Sequence, residues 1–93
     1  MKKFHNVARL IKNKRIEHPK GYSQTQLSKT LGYKNGQFIS NVERGLCSIP
    51  LKGLNKFTQT LNISIGELKY AMLKDYEETL DSYLREHDED SST

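Results

Sequence analysis

The chain has 93 residues, of which 34% are apolar and 28% charged, with a formal net charge of +4. So short a chain buries only about 60–65% of its unfolded surface, which allows one small core and leaves little room for an enzyme cleft beside it. The single cysteine, Cys47, excludes an internal disulfide and suits a reducing compartment, and no stretch approaches the roughly 18–20 apolar residues of a membrane span, so a cytoplasmic protein is expected.

Met1-Lys2-Lys3-Phe4 has the start of a secretory leader, but His5, Arg9 and Lys12 break the apolar run that should follow. Phe4, Val7, Ala8 and Ile11 instead recur at three- and four-residue steps, which predicts a first helix over about 3–16, ended by His18-Pro19-Lys20-Gly21. Ser23-Gln24-Thr25-Gln26 reads as a capping box opening a second helix with Leu27 and Leu31 on its buried stripe and Gly32 as its stop. Asn35 is the expected N-cap of a third helix over about 36–44, which Gly45 closes. Pro50 suits the first turn of a fourth helix, with Leu51, Leu54, Phe57, Thr58 and Leu61 as its core face. Ser64-Ile65-Gly66-Glu67 is a second capping box and opens a fifth helix to about His87, with a polar, frayed end from Asp88 to Thr93. With no alternating strand, repeat or linker, the pattern predicts an all-α protein: a body over 1–73 and an acidic helical extension over 74–93.

Charge divides along the same line. Residues 1–60 hold twelve Lys/Arg against Glu17 and Glu43, a net of +10, whereas residues 61–93 hold three Lys/Arg against nine acids, a net of −6. A basic body with an acidic tail points to a polyanionic partner for the body. On the third helix, at 100° per residue, Gln37, Ser40, Asn41 and Arg44 share one arc while Ile39 and Val42 point away. Amide side chains read adenine edges bidentately, and an arginine beside them can hold a phosphate. From this face alone, an ordinary solvated helix surface is the competing reading.

The wider context weighs against that. Gly21-Tyr22-Ser23-Gln24 with Leu27, Leu31-Gly32, Phe38-Ile39-Ser40-Asn41-Val42-Glu43-Arg44-Gly45 and Leu61-Asn62-Ile63-Ser64-Ile65-Gly66-Glu67-Leu68 follow one another in order, with Lys14-Arg15-Ile16 ahead of them. Over roughly residues 4–73 the chain resembles the Cro/repressor-like (XRE-type) helix-turn-helix family, which includes phage repressors and small bacterial regulators. The resemblance implies a five-helix, lambda-repressor-like DNA-binding domain whose third helix lies in the major groove of double-stranded DNA. Carried over position by position, Gln37, Asn41 and Ser40 become base contacts. Gln24 becomes a phosphate anchor that also braces Gln37, and Ser23, Arg44 and Lys52 become further phosphate contacts. It also places Arg15 as the partner of Glu43 in a largely buried ion pair. The chain departs from the family pattern at Gly36, where the first recognition residue usually has a side chain, at Tyr33-Lys34, which lengthens the turn by one residue, and at Pro19-Lys20, which lengthens the first loop.

The remaining residues are assigned more plainly. Phe38 is read as packing against the turn, with contact to a thymine methyl as the alternative. Cys47 has no second Cys or His at ligand spacing, and no Ser/His/Asp set or phosphate-cradling glycine loop has supporting context, so neither a metal, a cofactor nor an enzymatic activity is expected. Leu73, Tyr76, Leu80 and Tyr83, with Leu84 beside them, form an apolar stripe on the fifth helix that a homodimer would cover. The expected function is sequence-specific transcriptional regulation, repressor-like. The alternative is an antitoxin-type or other protein-interaction module whose acidic tail binds a protein partner.

Overall fold

Five α-helices and one 3-10 turn, with no strand, make up the described residues, 3–91, of the computed structural model; side chains are described from Lys3 to Arg85. The helices are α1 (His5–Glu17), α2 (Gln24–Thr30), α3 (Gln37–Glu43), α4 (Leu54–Leu61) and α5 (Ile65–Ser91). No helix among the described residues is long and apolar enough to cross a membrane.

The short helices end for a local reason. Gly32 (φ 96°) and Gly45 (φ 74°) turn the chain left-handed after α2 and α3, and Asn62 (φ 55°) does so after α4. In each case an amide beyond the turn returns to the last helical carbonyls: Tyr33 to Ser28, Leu46 to Asn41 and Ile63 to Thr58. This Schellman-type closure satisfies carbonyls that the helix leaves orphaned. At the other end of α2, Ser23 and Gln26 form the reciprocal capping box, with Ser23 Oγ accepting from the Gln26 amide and Gln26 Oε1 from the Ser23 amide.

Two helix starts differ from the sequence expectation. Gly36, not Asn35, is the N-cap of α3, since its carbonyl accepts the first helical amide, from Ser40. Asn35 still serves the helix from one residue further out, where its Oδ1 accepts from the Gln37 amide in the two-residue reach of an Asx turn. After Pro50 the chain first winds as a 3-10 turn, Leu51–Gly53, before α4 begins. That tighter turn rotates Leu51 off the face that Phe57 and Leu61 bury, so Leu51 is 78% exposed and does not belong to the core. α5 also runs past the expected His87 to Ser91, and no Gly or Pro follows Gly66 to stop it.

Val7 and Ile11 of α1, Leu27 of α2, Ile39 and Val42 of α3, Phe57 and Leu61 of α4 and Leu68 of α5 form one contiguous core, completed by Leu31, Ile49, Ile63 and Ala71. α1 is the strut of the body, packed against α3, α4 and α5, while α2 packs against α3. Tyr33 in the α2–α3 turn stacks on Phe38 (centroids 4.2 Å apart), and Phe38 meets Phe57 edge-on at 6.3 Å, which pins the turn to α4. The 27 residues of α5 extend about 40 Å, so the molecule measures 55 × 26 × 23 Å.

Candidate nucleic-acid interface

α3 divides its surface between core and solvent. Ile39, Val42 and Glu43 are buried, whereas Gln37 and Arg44 are exposed and Ser40 and Asn41 half-buried on the opposite arc. One turn apart, Gln37 donates from Nε2 to Asn41 Oδ1 at 2.9 Å. The bond leaves Gln37 with its carbonyl oxygen and one N–H, and Asn41 with both N–H groups. The first set matches the donor–acceptor pattern of an adenine edge; the second can donate to an acceptor on a neighbouring base.

Glu43 holds this helix to the body. Arg15 donates from Nε to Glu43 Oε2 at 2.6 Å and from Nη2 to Oε1 at 2.9 Å, a bidentate pair between α1 and α3. A third donor of the same guanidinium, Nη1, reaches the Tyr22 carbonyl at 3.0 Å. The side chains are 14% and 3% exposed. The guanidinium is held above its already high value, first by its hydrogen bonding to Glu43, with burial opposing. Gln24 was expected to brace Gln37; instead its Nε2 donates to Glu43 Oε1 at 3.1 Å. A carboxylate is a stronger acceptor than an amide, so the Gln24 amide completes the Glu43 shell and ties the start of α2 to the end of α3.

This arrangement has an electrostatic consequence. Between His18 and Thr60 the sole acid is Glu43, against Lys20, Lys29, Lys34, Arg44, Lys52 and Lys56. With Glu43 buried on Arg15, no acid neutralises the exposed Arg44 and Lys52 among the described residues. The paired acids of the exposed surface lie on α5: Glu67 with Lys14, Glu77 with Lys74 and Glu78 with His5, each at 3.2 Å. Ser23 lies at the edge of the basic region, its Oγ engaged as the α2 cap and its hydroxyl proton left to donate.

Gly36 is a packing position. A Cβ there would stand 2.9 Å from Thr25 Oγ1 and 3.3 Å from the Thr25 backbone, so the missing side chain lets the start of α3 approach the start of α2. A side chain at residue 36 would therefore press on the start of α2.

One feature escaped sequence reasoning. Asp75 of α5, 2% exposed, accepts from the Asn6 amide (2.8 Å), Asn6 Nδ2 (2.8 Å) and the Val7 amide (3.0 Å). It is a cap for α1 supplied from 69 residues away, on a helix whose own N-cap, Phe4, offers no side-chain acceptor. The available signal was periodic: Asp75 lies one helical step beyond Ala71 and two turns beyond Leu68, on the face that α5 buries. His5 and Glu78 stand beside it, with ligand-type atoms of the three residues within 4.8 Å of one another. Both Asp75 oxygens, however, already face the amides at the positive end of α1, an environment built for an anion. Cys47 is half-buried, and burial pushes its thiol up.

The stripe residues Leu73, Tyr76, Leu80, Tyr83 and Leu84 are 42–63% exposed along α5. Compared with protein-family models, with curated proteins and with solved structures, the chain matches none.

Proposed function

We propose that this chain is a sequence-specific double-stranded DNA-binding regulator, with a lambda-repressor-like arrangement of its five helices and α3 reading the major groove as one half of a homodimer. The observation that carries the reading is the coupled Gln37–Asn41 amide pair, on the solvent-facing arc of a short helix whose only acid is buried on Arg15. Gln37, Asn41 and Ser40 read base edges, while Arg44, Lys52, Ser23 and Gln24 hold the phosphates on either side. Gln24 does so through its second amide proton, the first being given to Glu43. One seven-residue helix reads only a few base pairs, so a second copy on an adjacent half-site supplies the rest of the specificity.

The test is selection of bound sites from random duplex DNA, followed by titrations over a range of salt. Log K is expected to fall linearly with log salt by about 0.9 per phosphate neutralised, and Arg44→Ala or Lys52→Ala should weaken all sequences alike while flattening that slope. Gln37→Ala and Asn41→Ala should each lose about 1–3 kcal/mol of discrimination at particular base pairs. Because the two amides are bonded to one another, the double variant should lose less than the sum. Folded variants that keep full specificity would remove the base-reading assignment.

The exposed apolar side chains of α5 favour a second reading, an antitoxin-type module that holds a protein partner through its tail. Co-purification of one stoichiometric partner, without DNA selection, would favour it over the first.

A further inference from the structure

α4 and α5 follow one another through the left-handed turn at Asn62, but α5 packs on α1 rather than on α4. The space left between them is an apolar groove of about 340 Å³, within the size range of small-molecule sites. Its apolar lining runs from buried Leu68 through half-buried Leu54 and Met72 to exposed Ile65 and Leu73. Three polar side chains join it. Thr58 gives its hydroxyl proton to the Asn55 carbonyl at 2.8 Å and asks nothing of a ligand. Asn55 brings an amide with two donors. Lys69 is the one charged residue of the lining, and no carboxylate lies within ion-pair distance of it among the described residues. The reason is legible in the helix. Residues 65, 66, 72 and 73, the positions three and four steps from Lys69, carry no acid, and the carboxylate of Glu67 is taken by Lys14 and the Ser64 amide.

We propose that this groove is a binding site for a free amphiphilic monocarboxylate, its hydrocarbon chain along the apolar lining and its carboxylate on Lys69. An unpaired ammonium whose stem lies on apolar surface is matched by a ligand of the same build, an apolar chain ending in one negative charge. The Asn55 amide supplies a further donor to that head group. A neutral head would leave the ammonium without a counter-charge, and a cationic head would be repelled. A phosphate dianion would call for more cations than the single lysine here. Length is set by the helix: Ile65 to Leu73 spans about 12 Å of α5, which accommodates an extended chain of roughly eight to ten carbons. No residue of α3 takes part, so the site stands whether or not α3 reads DNA.

The probe is sodium decanoate, titrated below its micelle concentration into the isotopically labelled full chain and followed by NMR. Saturable shifts are expected at Leu54, Ile65, Leu68, Met72 and Leu73, with a dissociation constant in the millimolar range or below for a ligand of about twelve non-hydrogen atoms. Each methylene removed, through octanoate to hexanoate, should weaken binding by up to about fourfold. Decanol should bind about fivefold more weakly than decanoate, and decyltrimethylammonium more weakly again. Lys69→Met keeps the apolar stem without the charge and should bring decanoate down to the level of decanol, while Ile65→Glu should weaken decanoate further by setting a like charge beside its head. Both side chains are exposed, so helical circular dichroism should stay unchanged in the two variants. Absence of saturable shifts, equal binding of the three head groups, or full decanoate affinity in Lys69→Met would each overturn the proposal. Shifts at these residues with anionic phospholipid vesicles but none with decanoate would assign the groove to a membrane surface and overturn it too. So would a chain that ignores decanoate and sediments at twice its 10.8 kDa, the groove then being covered by a second copy.

Discussion

Glu43 and Asp75 are both buried carboxylates that hold α1 in place, one towards each end, and they offset desolvation in opposite ways. Glu43 meets a guanidinium from α1, with the Gln24 amide as a further donor. Asp75 meets the first backbone amides of α1 and the Asn6 side chain, and with them the positive end of the helix dipole. The first solution depends on two particular side chains, so losing either strands the other charge. The second depends on one, because backbone amides persist whatever the sequence around them. Buried carboxylates are thus unequal in fragility, and the difference lies in their donors.

That contrast ranks the expected effects. Arg15→Ala or Glu43→Ala should cost on the order of 3–5 kcal/mol, the range for breaking a buried pair, and read as a large drop in the denaturation midpoint. Leaving that midpoint nearly unchanged in both variants would show that the pair is solvated and that α3 is held by packing alone. Asp75→Ala should cost less, about 2 kcal/mol, and hydrogen exchange should quicken at Asn6 and Val7 before the core opens. Equal losses in the two sets would erase the distinction drawn above.

Gly36→Ala sharpens the same comparison by loading the Glu43 side without touching its charge. The added Cβ meets the Thr25 backbone, which is unable to swing away like a side-chain tip, so a cost of about 1–2 kcal/mol is expected in equilibrium unfolding. The smallest effect belongs to the exposed tie between α1 and α5, Lys14 with Glu67 at 3.2 Å. The Glu67 carboxyl is held below its usual range, first by the Ser64 amide, with Lys14 contributing next. A depressed carboxyl stabilises the fold above its unfolded value, about 4.3, and that contribution fades as pH falls through the lower folded value. Lys14→Ala should move the Glu67 titration upward by NMR with no resolvable change in the midpoint near neutral pH.

Local chemistry in the sequence was enough to determine the helices and most of their ends. The Ser23–Gln26 and Ser64–Glu67 boxes, the glycines at 32 and 45, and the three- and four-residue spacing of Val7, Ile11, Ile39 and Val42 act over a few residues, and a few residues are what periodicity and capping read. The polar arc of α3 was legible for the same reason, whereas the Arg15–Glu43 partnership was only what the resemblance implied. The tertiary structure alone decided the rest. It turned Leu51 outward, because a 3-10 turn changed the phase ahead of α4. It spent the Gln24 amide on Glu43, made Gly36 a contact between helices, and brought Asp75 to the start of α1. Each of these depends on distances between residues far apart in the chain, or on a choice among acceptors of different strength. Such choices are settled only when the whole core closes, since an unpaired buried donor or a sub-contact Cβ acquires its cost only then.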